Sequence, residues 1–139
     1  MVALLSSVSS AAEMPERAIR AALLAWTADF NAGRADRVCG LFAPELRYDY
    51  RGLPERDYRT LCDLLQGALS RRDKKFVYAL AIKEILVSGD LAVARLVWTL
   101  TLTDTATGRQ TVSREPGLDV FRRQADGSWK IIRYLAYEE

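Results

Sequence analysis

Acid-base chemistry in this chain has to come from carboxyls, phenols, lysines or thiols, because its 139 residues include no histidine. Imidazole is the usual general base near neutral pH and the commonest metal ligand. Its absence excludes Ser-His-Asp and Cys-His nucleophile schemes and any histidine-based zinc site. The two cysteines, Cys39 and Cys62, are too few for an all-cysteine zinc site. No metal and no cofactor is therefore expected. Three residues stand out as proton handlers. Asp119 sits inside the apolar run Leu118-Asp119-Val120-Phe121, where an unpaired carboxylate either finds a cation or stays protonated. Asp49 and Tyr50 are neighbours on a short strand-like stretch. Successive strand side chains point to opposite faces, so only one of the two faces a given cavity unless a bulge intervenes.

The elements that position these residues follow from periodicity. Pro15 sits at a helix start, and Ile19, Leu23, Trp26 and Phe30 recur on one helical face until Asn31-Ala32-Gly33 ends it. The pattern predicts a second short helix over Ala35 to Phe42, stopped by Pro44, then a strand from Leu46 to Tyr50 and a turn at Arg51-Gly52-Leu53-Pro54. Tyr58, Leu61, Leu64, Leu65 and Leu69 define a third helix ending near Ser70. From Phe76 the period changes from helical to alternating. Four strands are expected, Phe76 to Val87, Leu91 to Thr103, Gln110 to Arg123 and Ser128 to Tyr137, joined by short glycine-containing turns into an antiparallel meander. Glu115-Pro116-Gly117, inside the third of these, is expected to mark a bulge or bend. The fold class is thus α+β: three N-terminal helices packed on a strongly curved antiparallel sheet, closing into a cone.

Composition suits one domain, residues 15–139, after a tail of residues 1–14. The formal net charge of +2 is spread along the chain, whereas a nucleic-acid binder would carry a basic stripe. The densest basic run, Arg71-Arg72-Asp73-Lys74-Lys75, reads as a solvated helix end. No stretch reaches the ~20 apolar residues needed to cross a bilayer, so membrane insertion is not expected. The first twelve residues, MVALLSSVSSAA, carry small residues like a signal-peptidase site but lack a basic leader. They read as part of an export signal, giving a periplasmic or secreted protein, or as the tail of a cytoplasmic one. In an oxidising compartment Cys39 and Cys62 can pair if their segments lie side by side; in the cytosol they would be buried thiols.

Two stretches carry a resemblance. Phe30-Asn31-Ala32-Gly33 is followed by Leu41-Phe42-Ala43 and a short strand, and Pro116-Gly117-Leu118-Asp119-Val120-Phe121 is followed by Asp126-Gly127-Ser128-Trp129-Lys130-Ile131-Ile132. Their order and spacing resemble the ketosteroid-isomerase-like, polyketide-cyclase-like (SnoaL-type) branch of the nuclear-transport-factor-2-like superfamily, over roughly residues 15 to 137. The resemblance implies a conical pocket between the helices and the concave sheet face. It leaves the chemistry open, because isomerases, dehydratases, hydrolases and binding modules share the fold.

The isomerase residues transfer unevenly. Their helix-1 tyrosine falls on Trp26, which keeps one N–H donor but also suits a plain apolar face. Their strand-1 base falls on Tyr50, with Asp49 one residue earlier. A phenol with its usual pKa near ~10 is a poor base at neutral pH, and with this spacing Asp49 points away from the cavity. Their oxyanion-hole acid falls on Asp119, either as a neutral donor to a ligand oxygen or as the partner of a cross-strand arginine, Arg95 or Arg133. In the isomerases themselves an apolar site keeps that carboxylic acid neutral, so the resemblance implies the same possibility here. The His-Asp pairs of the dehydratases cannot be built here, and the final strand lacks the aspartate of the epoxide hydrolases.

The remaining aromatics, Tyr48, Trp98, Phe121 and Tyr134 with Trp26, are expected to line an apolar pocket for a small hydrophobic ligand, although each also suits a core. Trp129 reads as sheet packing. Two functions compete: a ligand-binding protein, or a cofactor-free isomerase or lyase acting on a small carbonyl compound through Asp119 and either Asp49 or Tyr50. A homodimer is expected through the outer sheet face of Val93, Val97, Thr99, Thr101 and Thr103.

Overall fold

Helix α1, Glu13–Asn31, buries Ile19, Leu23, Trp26 and Phe30 as one stripe, as the 3.6-residue period requires. The structure is a computed structural model describing residues 13–139, and the signal-like segment lies outside the described residues. Gly33 adopts φ 74° just past the helix, the left-handed conformation that terminates helices at little cost for glycine. Asn31 then ties this end to the sheet. Its amide donates to the carbonyl of Tyr78 and accepts from the Tyr78 N–H, both at 2.8 Å.

The expected second helix does not form, so two helices are present among the described residues rather than three. Residues 35–41 are consecutive tight turns, with backbone bonds Arg37 to Arg34, Gly40 to Arg37 and Phe42 to Cys39. Helical acceptors there are taken by tertiary partners. The Val38 carbonyl receives the indole N–H of Trp26 at 2.8 Å, and the Leu41 carbonyl receives the N–H of Ile131 at 2.9 Å. The apolar residues Val38, Leu41 and Phe42 are buried as the pattern implied, but by turns and not by a helical face.

Strand β1, Phe42–Tyr50, leads through the turn at Gly52 to a two-residue strand β2, Arg56–Asp57, and helix α2, Tyr58–Ser70. Asp57 caps α2 by accepting from the Thr60 N–H at 3.0 Å, satisfying a donor otherwise left unpaired at the helix start. The sheet continues with β3, Lys74–Ser88; β4, Leu91–Asp104; β5, Gln110–Arg123; and β6, Trp129–Ala136. Its order is β2-β1-β6-β5-β4-β3. The meander β3 to β6 is antiparallel as expected, but β1 joins β6 in parallel, which makes the curved sheet mixed.

Pro116 causes no bulge. The β4–β5 register runs unbroken from Leu91↔Arg122 to Thr103↔Gln110. The Pro116 carbonyl accepts from Tyr137 at 3.3 Å, so its missing N–H falls beside the end of β6 and costs the β4 ladder nothing. The register shifts lie elsewhere, at Lys83 in β3, at Ile132 in β6 and between Phe42 and Arg47 in β1.

Cys39 and Cys62 are joined as a disulfide, with Cα atoms 5.4 Å apart. The bond fastens α2 to the turn segment after α1, and chain-entropy arguments put its stabilisation at about 3 kcal/mol for a loop of this length.

Candidate functional site

Cross-strand pairing fixes which side chains share the concave face, because directly paired residues point to the same side. One row across the sheet contains Arg56, Tyr48, Tyr134, Asp119 and Ala94; the next contains Tyr50, Ala136, Gly117 and Leu96; a third contains Glu115, Trp98 and Leu80. Helix α1 covers this face with Trp26 and Phe30, and α2 with Leu61, Leu64, Leu65 and Ala68. Between the layers is a cavity of about 310 Å³, at the small end of the range for ligand pockets. Leu53 and Leu64 are both exposed and line it, so they mark its rim.

Asp119 is the buried ionisable residue of the core among the described residues, 5% exposed, and it lines the cavity. Burial alone pushes its pKa up to about 7. No cation offsets this among the described residues. Arg95 points to the outer face and pairs with Glu84 at 2.8 Å, and Arg133 donates to the carbonyls of Glu45 and Ile132. Tyr134 lies directly across from Asp119 and stacks on Tyr48, with ring centroids 4.3 Å apart. Burial drives the Tyr134 phenol far above its ordinary range, with the nearby Tyr48 and Asp119 adding to the shift. The Tyr48 hydroxyl is buried beside them, close enough to the Tyr134 phenol to contribute to its shift.

Other expected site residues fall into place less evenly. Tyr50 faces the cavity and Asp49 is exposed on the opposite face, so Asp49 has no access to a bound molecule. Tyr50 is no base either: burial and the neighbouring Glu115 push its phenol up to about 12. Trp26 and Trp98 line the cavity and meet edge to face with centroids 5.1 Å apart. The Trp26 N–H is committed to Val38, so the residue offers a ligand its ring and not a donor. Phe121 lies in the core and does not line the cavity. It keeps the phase of Asp119 on β5, paired with Ala92 and Ile131, but lies among packed core side chains and not on the cavity wall.

Tyr78 and Glu115 also belong to the site, although neither was expected there from the sequence. Tyr78 packs against Trp26, Phe30 and Trp98, and Glu115 accepts a hydrogen bond from the Tyr50 hydroxyl at 3.3 Å. The available signal was alternation: Glu115 lies four residues before Asp119 on one strand, which puts both carboxyls on one face.

Among the described residues no cluster of acidic or thiol groups suited to a metal ion is found, and no helix is long and apolar enough to cross a membrane. The basic run at the end of α2 is locally paired, Arg71 with Asp73 at 2.7 Å and Lys74 with Asp104 at 3.0 Å.

Two helices laid over a curved sheet with an aromatic cavity between them define a nuclear-transport-factor-2-like fold. An Erwinia carotovora atroseptica SCRI1043 ketosteroid isomerase-like protein shares it, with TM-score 0.71 and 26% identity over 88% of this chain and 95% of that one. A conserved protein from Planctomyces limnophilus superposes with TM-score 0.79 at 16% identity, covering 91% and 97% of the two chains. An NTF2-like protein with a cystatin-like fold from Novosphingobium aromaticivorans gives 0.72 at 18% identity over 90% and 82%. Residues 23–134 match the SnoaL-like domain, and the chain belongs to that family. No curated protein sequence matches it.

Proposed function

We propose that the protein binds a small hydrophobic molecule in the aromatic cavity, with Asp119 protonated and donating to a ligand oxygen. The observation that carries this reading is the unpaired, buried carboxyl of Asp119 on the wall of a mainly apolar cavity of about 310 Å³. The buried Tyr48 hydroxyl supports it from β1, on the far side of Tyr134. Naphthylethanol, a neutral molecule of matching size, is expected to bind with a stoichiometry of about one and a negative heat-capacity change, the mark of apolar burial. Ala68→Trp, which fills the cavity from α2, is expected to weaken it about tenfold or more. Equal binding to wild type and Ala68→Trp would show that the probe sits elsewhere.

Catalysis of the isomerase or lyase type, on a small carbonyl compound, is the second reading, favoured by the same raised pKa of Asp119. The exposure of Asp49 and the raised pKa of Tyr50, which keeps its phenol protonated near neutral pH, count against it. Deuterium exchange from solvent into the α-position of a bound ketone, present in wild type and lost in Asp119→Ala, would favour catalysis over binding.

The partner proposed for the outer face is a second copy. Val112 is 61% exposed and Leu135 58%, and Leu135 is paired across the strands with the exposed Leu118. Sedimentation is expected to give a dimer that Leu118→Asp converts to monomer; a wild-type monomer would end this proposal.

A further inference from the structure

We infer that the ligand of the cavity is a hydrophobic amine bound as its cation, held by Glu115 among the rings of Tyr50, Tyr78 and Trp98. The inference rests on the pocket-binding reading and narrows it. Glu115 faces the cavity directly across from Trp98, and its carboxylate accepts from the Tyr50 hydroxyl at 3.3 Å. Tyr78, also on the wall, lies close enough that the Glu115 charge adds to the rise its burial imposes on the phenol. Three aromatic rings thus surround one partly buried carboxylate.

No cation among the described residues neutralises it. Arg114, its neighbour in sequence, pairs with Glu139 at 2.8 Å on the opposite face. Arg56 is the cation on the cavity wall, and it makes no ion pair with Glu115. Its row on the sheet is that of Asp119, about 13 Å along the strands from the row of Glu115. The other charge felt at Glu115 is an anion, Glu138, which with burial raises its pKa despite the Tyr50 hydrogen bond.

This arrangement discriminates by charge. An ammonium beside Glu115 would gain a charge-assisted hydrogen bond and the attraction of the ring faces, both in a partly dry site. A neutral ligand would leave the carboxylate without a counter-charge, and an anionic one would meet Glu115 and Glu138 together. With Asp119 about 13 Å away on the same strand, the occupant best matched to both ends is a flat amine with an oxygen opposite its nitrogen.

The test compares naphthylethylamine, naphthylethanol and naphthylacetate by calorimetry near neutral pH, on wild type and Glu115→Gln. In wild type the amine is expected to bind about tenfold tighter than the alcohol, and the acetate weaker than both. In Glu115→Gln the amine-to-alcohol ratio is expected to fall to about one. The wild-type comparison stands even if the variant does not fold. Alcohol or acetate binding as tightly as the amine, or an amine preference that survives in Glu115→Gln, would overturn the inference while leaving the pocket reading intact. Binding of none of the three would overturn both.

Discussion

Asp119→Asn is expected to remove a fall in stability of about 4 kcal/mol between pH 4 and pH 8. The carboxyl moves from 3.8 to about 7 on folding because burial disfavours its charge. Between those values the unfolded chain has released the proton and the folded chain still holds it. Stability from this group is therefore complete below pH 3.8 and is lost as the pH rises through about 7. At ~1.4 kcal/mol per pH unit the loss comes to about 4 kcal/mol. Other carboxyls act in the opposite sense. Hydrogen bonds from Thr60, Arg71, Lys74 and Ser128 hold Asp57, Asp73, Asp104 and Asp126 below their ordinary values, each the largest cause of its shift. Only the difference between wild type and variant isolates Asp119. Urea unfolding across this pH range measures it, and parallel curves for the two proteins would show that Asp119 is ionised in the folded state.

Phe121→Ala is expected to destabilise the protein by about 3–5 kcal/mol, the range for removing a buried aromatic ring. Phe121 is 0% exposed and packs within the main core cluster. Lining an open cavity, the ring would already be partly unsupported and its removal would cost far less. A loss below about 1 kcal/mol in urea unfolding would place it on the cavity wall after all.

Much of the architecture was legible because it rests on local periodicity. The stripe of α1, the helix α2 and the four long strands each repeat their signal several times, and glycine turns separate them. What stayed hidden depends on groups distant in sequence. The turns at residues 35–41 look helical until Trp26 and Ile131 claim the Val38 and Leu41 carbonyls. The parallel pairing of β1 with β6 has no local signature at all. Pro116 looked like a bulge because its missing donor was obvious in sequence, whereas its position beside the end of β6 was not.

The site was legible to the same degree. Alternation put Asp49 and Tyr50 on opposite faces, the resemblance turned Tyr50 inward, and the apolar surroundings of Asp119 made its charge state the open question. Its isolation from Arg95 and Arg133 required the register. Glu115 stayed hidden because a bulge at the Pro-Gly pair beside it would have broken its phase with Asp119, and that bulge is absent. The fold resembles an isomerase, yet the helix-1 and strand-1 positions carry Trp26 and Tyr50, and neither provides the corresponding chemistry.

The proposed site turns on one proton. Carbon NMR of the Asp119 carboxyl, followed through a pH titration of the folded protein, reads that proton directly. A midpoint near 7 is predicted from burial without a counter-ion. A midpoint at or below the ordinary 3.8 would mean a charged, solvated or paired carboxylate and would contradict a neutral donor at this site.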